Sequence, residues 1–306
     1  MPLVQGIDVA RYQPEVDWAK VKNAGITFVV AKASQGGFAD QLFATHWAGA
    51  KAAGLLRGAY CFLDPRADGA KQADAYLKAL GDDFGELPPV LDVEAKTEKP
   101  TELAKFAEDW LAIVEKATGK TACIYTAAWY WNSTMLLRGK YPEWATSRPL
   151  WVAGYPVGTG APSLEDLEAG KYKPTQPKGW DKWTLWQYSE KGRVDGVNAN
   201  GKPCNVDLNI YGATRAEFFT WLGIPDPNPV SFAAPGMEAP TEVALGSGFA
   251  PEAPMATPVK KKPAAKKAPA KKAPAKKAKA KKPAAKKPAK KPAKKAAKKP
   301  AKKARK

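Results

Sequence analysis

Apolar residues in the first 223 positions follow two alternating rhythms. Short runs dense in β-branched and aromatic residues, such as "ITFVVAKAS" (26–34) and "LRGAYCFL" (56–63), suit buried strands. Between them apolar positions recur every three or four residues, as in "ADQLFATHWAGAKAA" (39–53), which suits an amphipathic helix. In order, the pattern predicts strands at 3–9, 26–34, 56–63, 88–95 and 121–128, with helices at 16–25, 39–53, 68–81 and 100–119 between them. Gly25, Gly54 and Gly119 follow helices, where the chain turns left-handed and glycine has no side chain to clash. Asp68 and Thr101 are candidate N-caps. After residue 128 the helical rhythm fades. Strands are still predicted at 149–155, 183–189 and 206–211, joined by segments rich in Pro, Gly and Lys, and a helix at 214–223 closes the region.

Five β/α-like units followed by three strands predict an α/β fold, an irregular TIM-like barrel that loses its outer helices in its second half. The alternative is an open doubly wound sheet. Against it, no Gly-rich phosphate fingerprint follows the first strand.

Charge divides the chain. The net charge of +19 is an average over two different segments. Of 49 basic residues, 24 lie in 260–306, which holds no acid; the preceding part has 25 basic and 30 acidic residues, a net charge of −5. We therefore expect a barrel over 1–223, a Pro/Ala/Gly-rich linker over 224–259, and a disordered polycationic tail over 260–306. Apart from Arg305 the tail is Lys, Ala and Pro, with no aromatic residue for base stacking. No run reaches ~18 apolar residues, so no membrane-spanning helix is expected. The N-terminal "MPLVQGIDV" lacks the basic and apolar regions of a secretory signal. Cys61, Cys123 and Cys204 have no metal-site spacing and read as free thiols of a reducing compartment.

The chemistry centres on "PPVLDVEA" (88–95). Residues two apart on a strand share a face, so Asp92 and Glu94 point the same way, with Cα atoms roughly 6.6 Å apart. Burial and mutual repulsion would keep a proton on one of them, as cleavage of a glycosidic bond by acid catalysis requires. Alone, the pair could equally be a solvated strand end or one bridged to Lys96. Two further acids, Asp8 and Asp207, fall on the first and last strands, which are neighbours in a closed barrel. Aromatic residues interleave with the acids at Tyr60, Tyr125, Trp151, Tyr155, Trp186 and Tyr188. They suit sugar stacking, or ordinary core. The one histidine, His46, lies in a predicted helix and is expected to be structural.

The ordered motifs "GIDVARYQPEVDW", "GAYCF", "PVLDVEA", "LWVAGY", "LWQYS" and "VDLN" resemble glycoside hydrolase family 25, the Chalaropsis-type lysozymes, over residues 4–222. The resemblance implies a barrel of five β/α units and three further strands. It implies hydrolysis of the β-1,4 bond between N-acetylmuramic acid and N-acetylglucosamine, with no metal or other cofactor. Carried over by motif, Glu94 is the general acid and Asp92 its partner, either a nucleophile or the group that steadies the substrate's 2-acetamido. Asp8 and Asp207 are further cleft carboxylates. Tyr60, Tyr125, Tyr155, Gln187, Tyr188 and Trp186 are the expected sugar contacts. The chain departs from the usual family pattern at Ala10, at Ser34-Gln35 and at Cys61.

The tail is similar to those of linker histones and should bind polyanions by counterion release. The expected partners are peptidoglycan strands for a monomeric barrel and, for the tail, an anionic surface: teichoic acid, lipopolysaccharide or another membrane surface, or nucleic acid. The alternative is a polyanion- or DNA-binding protein with a non-catalytic, carbohydrate-binding barrel. Without a recognisable signal the protein would be made in the cytoplasm and reach the wall after export or lysis, as a phage endolysin does.

Overall fold

A computed structural model describes residues 3–158 and 160–229. The expected tail and most of the expected linker lie outside the described residues. Eight strands close a barrel: β1 (Gln5–Val9), β2 (Phe28–Gln35), β3 (Leu56–Phe62), β4 (Val90–Asp92), β5 (Cys123–Ala127), β6 (Leu150–Ala153), β7 (Leu185–Gly192) and β8 (Val206–Tyr211). Each pairs with its neighbour in sequence, and β8 returns to β1. From β1 to β7 the ladders are parallel. β8 runs antiparallel to both β7 and β1, which hydrophobic periodicity does not reveal. A short strand, Phe38–Ala39, folds back on the end of β2, and a small second sheet joins Glu15–Val16, Val197–Ala199 and Lys202–Pro203.

Helices α1 (Trp18–Asn23), α2 (Phe43–Ala52), α3 (Gly69–Leu80) and α4 (Pro100–Thr118) follow the first four strands. Asp17 and Asp68 cap α1 and α3 by accepting from the amides of Lys20 and Lys71. Thr101 does not cap α4. Lys99 holds the cap position without a side-chain bond, and Pro100 begins the helix, where its fixed φ fits and its missing N–H costs nothing. Beyond β5 only short helical segments appear, in keeping with the fading rhythm, until Arg215–Leu222, which Thr214 and Glu217 start as a capping box.

Apolar residues form two layers. One lies between barrel and helices and contains Ile7, Val29, Tyr76, Leu91, Trp110 and Val152. The other fills the lower barrel, at the N-terminal ends of the parallel strands, with Phe28, Val90, Cys123, Leu185 and Tyr211. Phe218 of the closing helix plugs this end, its ring 5.6 Å from Phe28 and 5.1 Å from Tyr211. Each such aromatic removed from water contributes about 1.5–3 kcal/mol. Gly6 makes room for the Phe28 ring, since a Cβ there would stand 2.3 Å from it. The lower barrel is thus a solid core, and any open chemistry must lie at the other end. Cys61, Cys123 and Cys204 are free thiols.

Candidate active site

The upper end of the barrel gathers the acids. Asp8, near the end of β1, pairs in register with Asp207 at the start of β8. Because β8 is inverted, its beginning lies where the other strands finish. Asp92 ends β4, flanked in register by Phe62 of β3 and Tyr125 of β5. The strand stops there, shorter than the expected 88–95, and Glu94 lies two residues beyond. The segment stays fixed: the Val93 amide donates to the Tyr125 carbonyl (2.9 Å), Thr126 Oγ1 to the Val93 carbonyl (2.8 Å) and Tyr130 Oη to the Ala95 carbonyl (2.8 Å). Asp8, Asp92, Glu94, Asp207, Tyr60, Tyr125, Trp151 and Gln187 line one cavity of ≈ 70 Å³.

Two of the acids are held by a polar network. Tyr125 and Tyr155 both donate to Gln187 Oε1 (2.8 and 2.7 Å). That orients the Gln187 amide so that Nε2 donates to Asp8 Oδ2 (2.9 Å) and reaches Asp207 Oδ2 (3.3 Å). Asn209 Nδ2 donates to the same Asp8 oxygen (2.8 Å), and Trp151 Nε1 donates to Asn209 Oδ1 (2.8 Å). The other pair differs. Asp92 is buried, and its Oδ1 has no hydrogen-bond partner among the described residues. A buried acceptor left open is costly and marks a group kept for something else.

Electrostatics push all four acids toward the protonated form. Burial, then the charge of Glu94, holds Asp92 well above the usual carboxylate range. Burial, then the charge of Asp8, raises Glu94. Asp207 is pushed up to about 9 by burial and by Asp8. Asp8 is raised by burial, which outweighs its bonds from Asn209 and Gln187. Lys32 counters the shifts on Asp92 and Glu94. It is buried, its Nζ donates to Gln35 Oε1 (2.7 Å), and it lies 5.0 Å from the centre of the Phe62 ring.

The structure therefore brings Asp8, Asp92, Glu94, Asp207, Tyr60, Tyr125, Tyr155 and Gln187 together. It does not bring in Trp186 or Tyr188. Neighbours on a strand face opposite ways, and Gln187 takes the inner face. Trp186 packs outside the barrel, with Nε1 donating to the Gly154 carbonyl (2.7 Å) and its ring 6.0 Å from Tyr188. Sequence reasoning missed Lys32 and Asn209 as site residues. Both follow from parity: Lys32 continues the inward series Phe28, Val30, and Asn209 lies two residues after Asp207. Lys96 is exposed. His46 is buried behind the site, with Nε2 3.3 Å from the Ala10 carbonyl oxygen, and burial lowers its pKa.

Exposed aromatic residues also collect at this end. Tyr12 follows β1 and Phe38 follows β2, 66% and 81% exposed; Trp129 follows β5 and Tyr155 follows β6, 68% and 44% exposed. In a ring of eight strands, β1 and β2 face β5 and β6 across the mouth.

Comparison with known proteins places the chain in a family. Over 225 residues the chain is 34% identical to Lysozyme M1 of Streptomyces globisporus, an alignment covering 70% of this chain and 69% of that protein. It is 29% identical over 211 residues to the N,O-diacetylmuramidase of Chalaropsis sp, covering 64% and 92%. Among solved structures, the bacterial lysozyme from Streptomyces coelicolor matches with a TM-score of 0.58 at 31% identity, covering 72% of this chain and 96% of that one. Residues 7–197 match the family model for glycosyl hydrolases family 25, a span that holds Asp8, Asp92, Glu94 and Gln187 and stops before Asp207. The chain belongs to glycosyl hydrolases family 25.

Proposed function

We propose that the protein is an N-acetylmuramidase, cleaving the β-1,4 bond between N-acetylmuramic acid and N-acetylglucosamine in peptidoglycan. The observation that carries this reading is the Asp92–Glu94 pair at the open end of the barrel, Asp92 buried with Oδ1 unpartnered among the described residues and Glu94 half-buried beside it. Two acids that repel each other in a site of low polarity hold a proton between them more tightly than either would alone. Glu94, half-buried at the mouth, delivers that proton to the glycosidic oxygen. Asp92, then ionised, faces the developing positive charge at the sugar. It acts either as the nucleophile or by steadying the 2-acetamido group as that group attacks. Asp8, oriented by Gln187 and Asn209, supplies negative potential near the same centre, while Asp207, pushed up to about 9, is the proton-bearing member of that pair. Tyr12 and Phe38 on one rim, and Trp129 and Tyr155 on the other, offer ring faces to a glycan strand laid across the mouth.

The basic segment 260–306 adds a second part to the proposal: its 24 cations hold the barrel to an anionic surface of the wall or membrane. Removing residues 230–306 then lowers turnover of whole walls but leaves turnover of soluble fragments unchanged. The deciding experiment is reducing-end release from purified peptidoglycan, with mass spectrometry of the fragments, for the wild type beside Glu94→Gln. Fragments with muramic acid at the reducing end, lost in the variant, are expected. Wild-type protein that released nothing from several wall types would sink the enzyme reading and leave a polyanion-binding protein with a sugar-binding barrel.

A further inference from the structure

A second, larger cavity adjoins the acid centre. It measures ≈ 640 Å³ against ≈ 70 Å³ for the centre itself. The smaller space admits the reacting atoms, whereas the larger lies within the roughly 300–1,000 Å³ of small-molecule sites. Its walls come from the loop after β1, the end of β2 with the Phe38–Ala39 fold-back, and the loop after β3. The two share no lining residue, and Lys32 stands between them: it lines the larger one, its Nζ lies 6.0 Å from the centre of the Tyr60 ring that lines the smaller, and its charge acts on Asp92 and Glu94.

The charges lining this cavity are unevenly satisfied. Asp64 is occupied by Arg66, with Nη2 to Oδ2 at 2.6 Å. Asp40 is occupied by backbone amides, accepting from Leu42 at 3.0 Å and from Arg11 at 3.4 Å. Two cations remain. The Arg11 guanidinium donates only to Tyr12 Oη (3.1 Å), and the Lys32 ammonium only to the neutral Gln35 Oε1 (2.7 Å). Neither forms an ion pair among the described residues. Lys32 is 8% exposed, and apart from the more distant charges of Asp92 and Glu94 it has no counter-charge at ion-pair distance among the described residues, so an anionic ligand would complete it. The Phe38 ring, 81% exposed, adds an apolar wall.

We propose that this cavity is an anion-accepting subsite that takes the carboxylate-bearing branch of the muramic unit. The inference rests on the muramidase reading for the identity of its ligand. Muramic acid differs from the neighbouring sugar by a lactyl ether at C3, a short group with one methyl and one carboxyl. That carboxyl is either free or linked to a peptide that carries carboxylates of its own. Arg11 and Lys32 match the carboxylate, and Phe38 matches the methyl. Recognition here would make the chain select strands by their branch as well as by their sugar rings.

Binding tests this in the full chain carrying Glu94→Gln, so that cleavage is not required. The probes are soluble glycan strands with free lactyl carboxylates, the same strands with those carboxylates capped as methylamides, and strands bearing peptide stems. Arg11→Gln and Arg11→Lys are added separately. Arg11 is exposed, and the basic segment is common to every variant, so differences between them report on the cavity. Arg11→Gln is expected to weaken binding of carboxylate strands by about threefold to tenfold, to leave capped strands unchanged, and to be largely rescued by Arg11→Lys. Sensitivity to Arg11 on free-lactyl strands assigns the lactyl carboxylate. Sensitivity confined to stem-bearing strands assigns a carboxylate of the peptide. Equal losses on capped and uncapped strands, or no loss on any, overturn the proposal. Cleavage by the chain with Glu94 intact is scored separately. Cleavage without carboxylate-dependent binding removes the subsite and keeps the muramidase, while the reverse keeps an anion site and removes the muramidase.

Discussion

The two ends of the barrel each hold a cluster of acids, and the clusters are built on opposite terms. At the lower end Arg57, whose side chain is 3% exposed, donates to both oxygens of Asp83 (2.8 and 2.9 Å) and to both oxygens of Glu86 (2.9 and 3.3 Å), with its guanidinium 4.5 Å from the centre of the Trp47 ring. Arg57 holds the Asp83 carboxyl far below the usual range. At the upper end Asp92 and Glu94 have no such partner, Lys32 is occupied with Gln35, and burial raises every acid. The same residue types are thus paired and structural at one end, and pushed toward the protonated form at the other. What separates them is one fork-shaped cation placed where both carboxylates can use it.

The strongest way to break this comparison is to alter each end and read both activity and stability. Glu94→Gln should reduce turnover by about 10²–10⁴-fold, the usual contribution of a general acid. Its melting temperature should be unchanged or higher, because a half-buried, repelled carboxyl has been removed. Arg57→Met should do the reverse. It leaves Glu86 without its cation and Asp83 with only Lys51, and should cost about 2–3 kcal/mol, less than the ~3–5 of a wholly buried pair. The discount follows because Asp83 and Glu86 are 37% and 31% exposed and can hydrate. Activity per folded molecule should persist. A stability loss for Glu94→Gln as large as that of Arg57→Met, on denaturant unfolding, would erase the distinction between the ends.

The pH dependence of stability sharpens it further. Asp207 titrates near 9 in the folded protein, against ~3.9 in an unfolded chain. The folded state then binds the proton more tightly, so this group lowers stability as pH rises from about 4 to about 9. Asp207→Asn should flatten that part of the curve and raise stability at its upper end. Asp83 is depressed, so its contribution is present above about pH 4 and is lost as pH falls below it. Asp83→Asn should lower stability at neutral pH and flatten the acid side instead. Urea unfolding at pH 3 to 9 checks both, and matching profiles for the two variants would contradict the opposed shifts.

Much of this arrangement was legible before the fold was known. Parallel strands buried on both faces read as nearly unbroken β-branched runs, and each of the eight runs became a barrel strand. The acids were legible because carboxylates are conspicuous in such runs. Three features were not. The inversion of β8 leaves no trace in a period of two, since alternation is the same in either direction. The small second sheet is built from strands of two or three residues, too short to carry a pattern. Lys32 is inconspicuous in the sequence, because a lysine in a strand ordinarily faces solvent; only its parity with Phe28 and Val30 places it inside.

The smallest predicted effect tests that parity directly. Taking Trp186, Gln187 and Tyr188 all as sugar contacts conflicts with strand geometry, because consecutive side chains leave opposite faces. The hydrogen bonds of Gln187 to Asp8 and Asp207 settle which face is inner. Trp186→Phe should therefore leave KM and kcat unchanged. It should cost about 1 kcal/mol of stability for the lost bond to the Gly154 carbonyl. Tyr125→Phe keeps a ring of nearly the same shape in the strand two neighbours away, yet it removes one of the two donors that orient Gln187. It should lower kcat by roughly tenfold at similar stability, consistent with ~1.4 kcal/mol at the transition state. A KM rise for Trp186→Phe larger than the kcat loss for Tyr125→Phe would mean that the glycan reaches the outer face of β7, and that aromatic character had been the better guide than alternation.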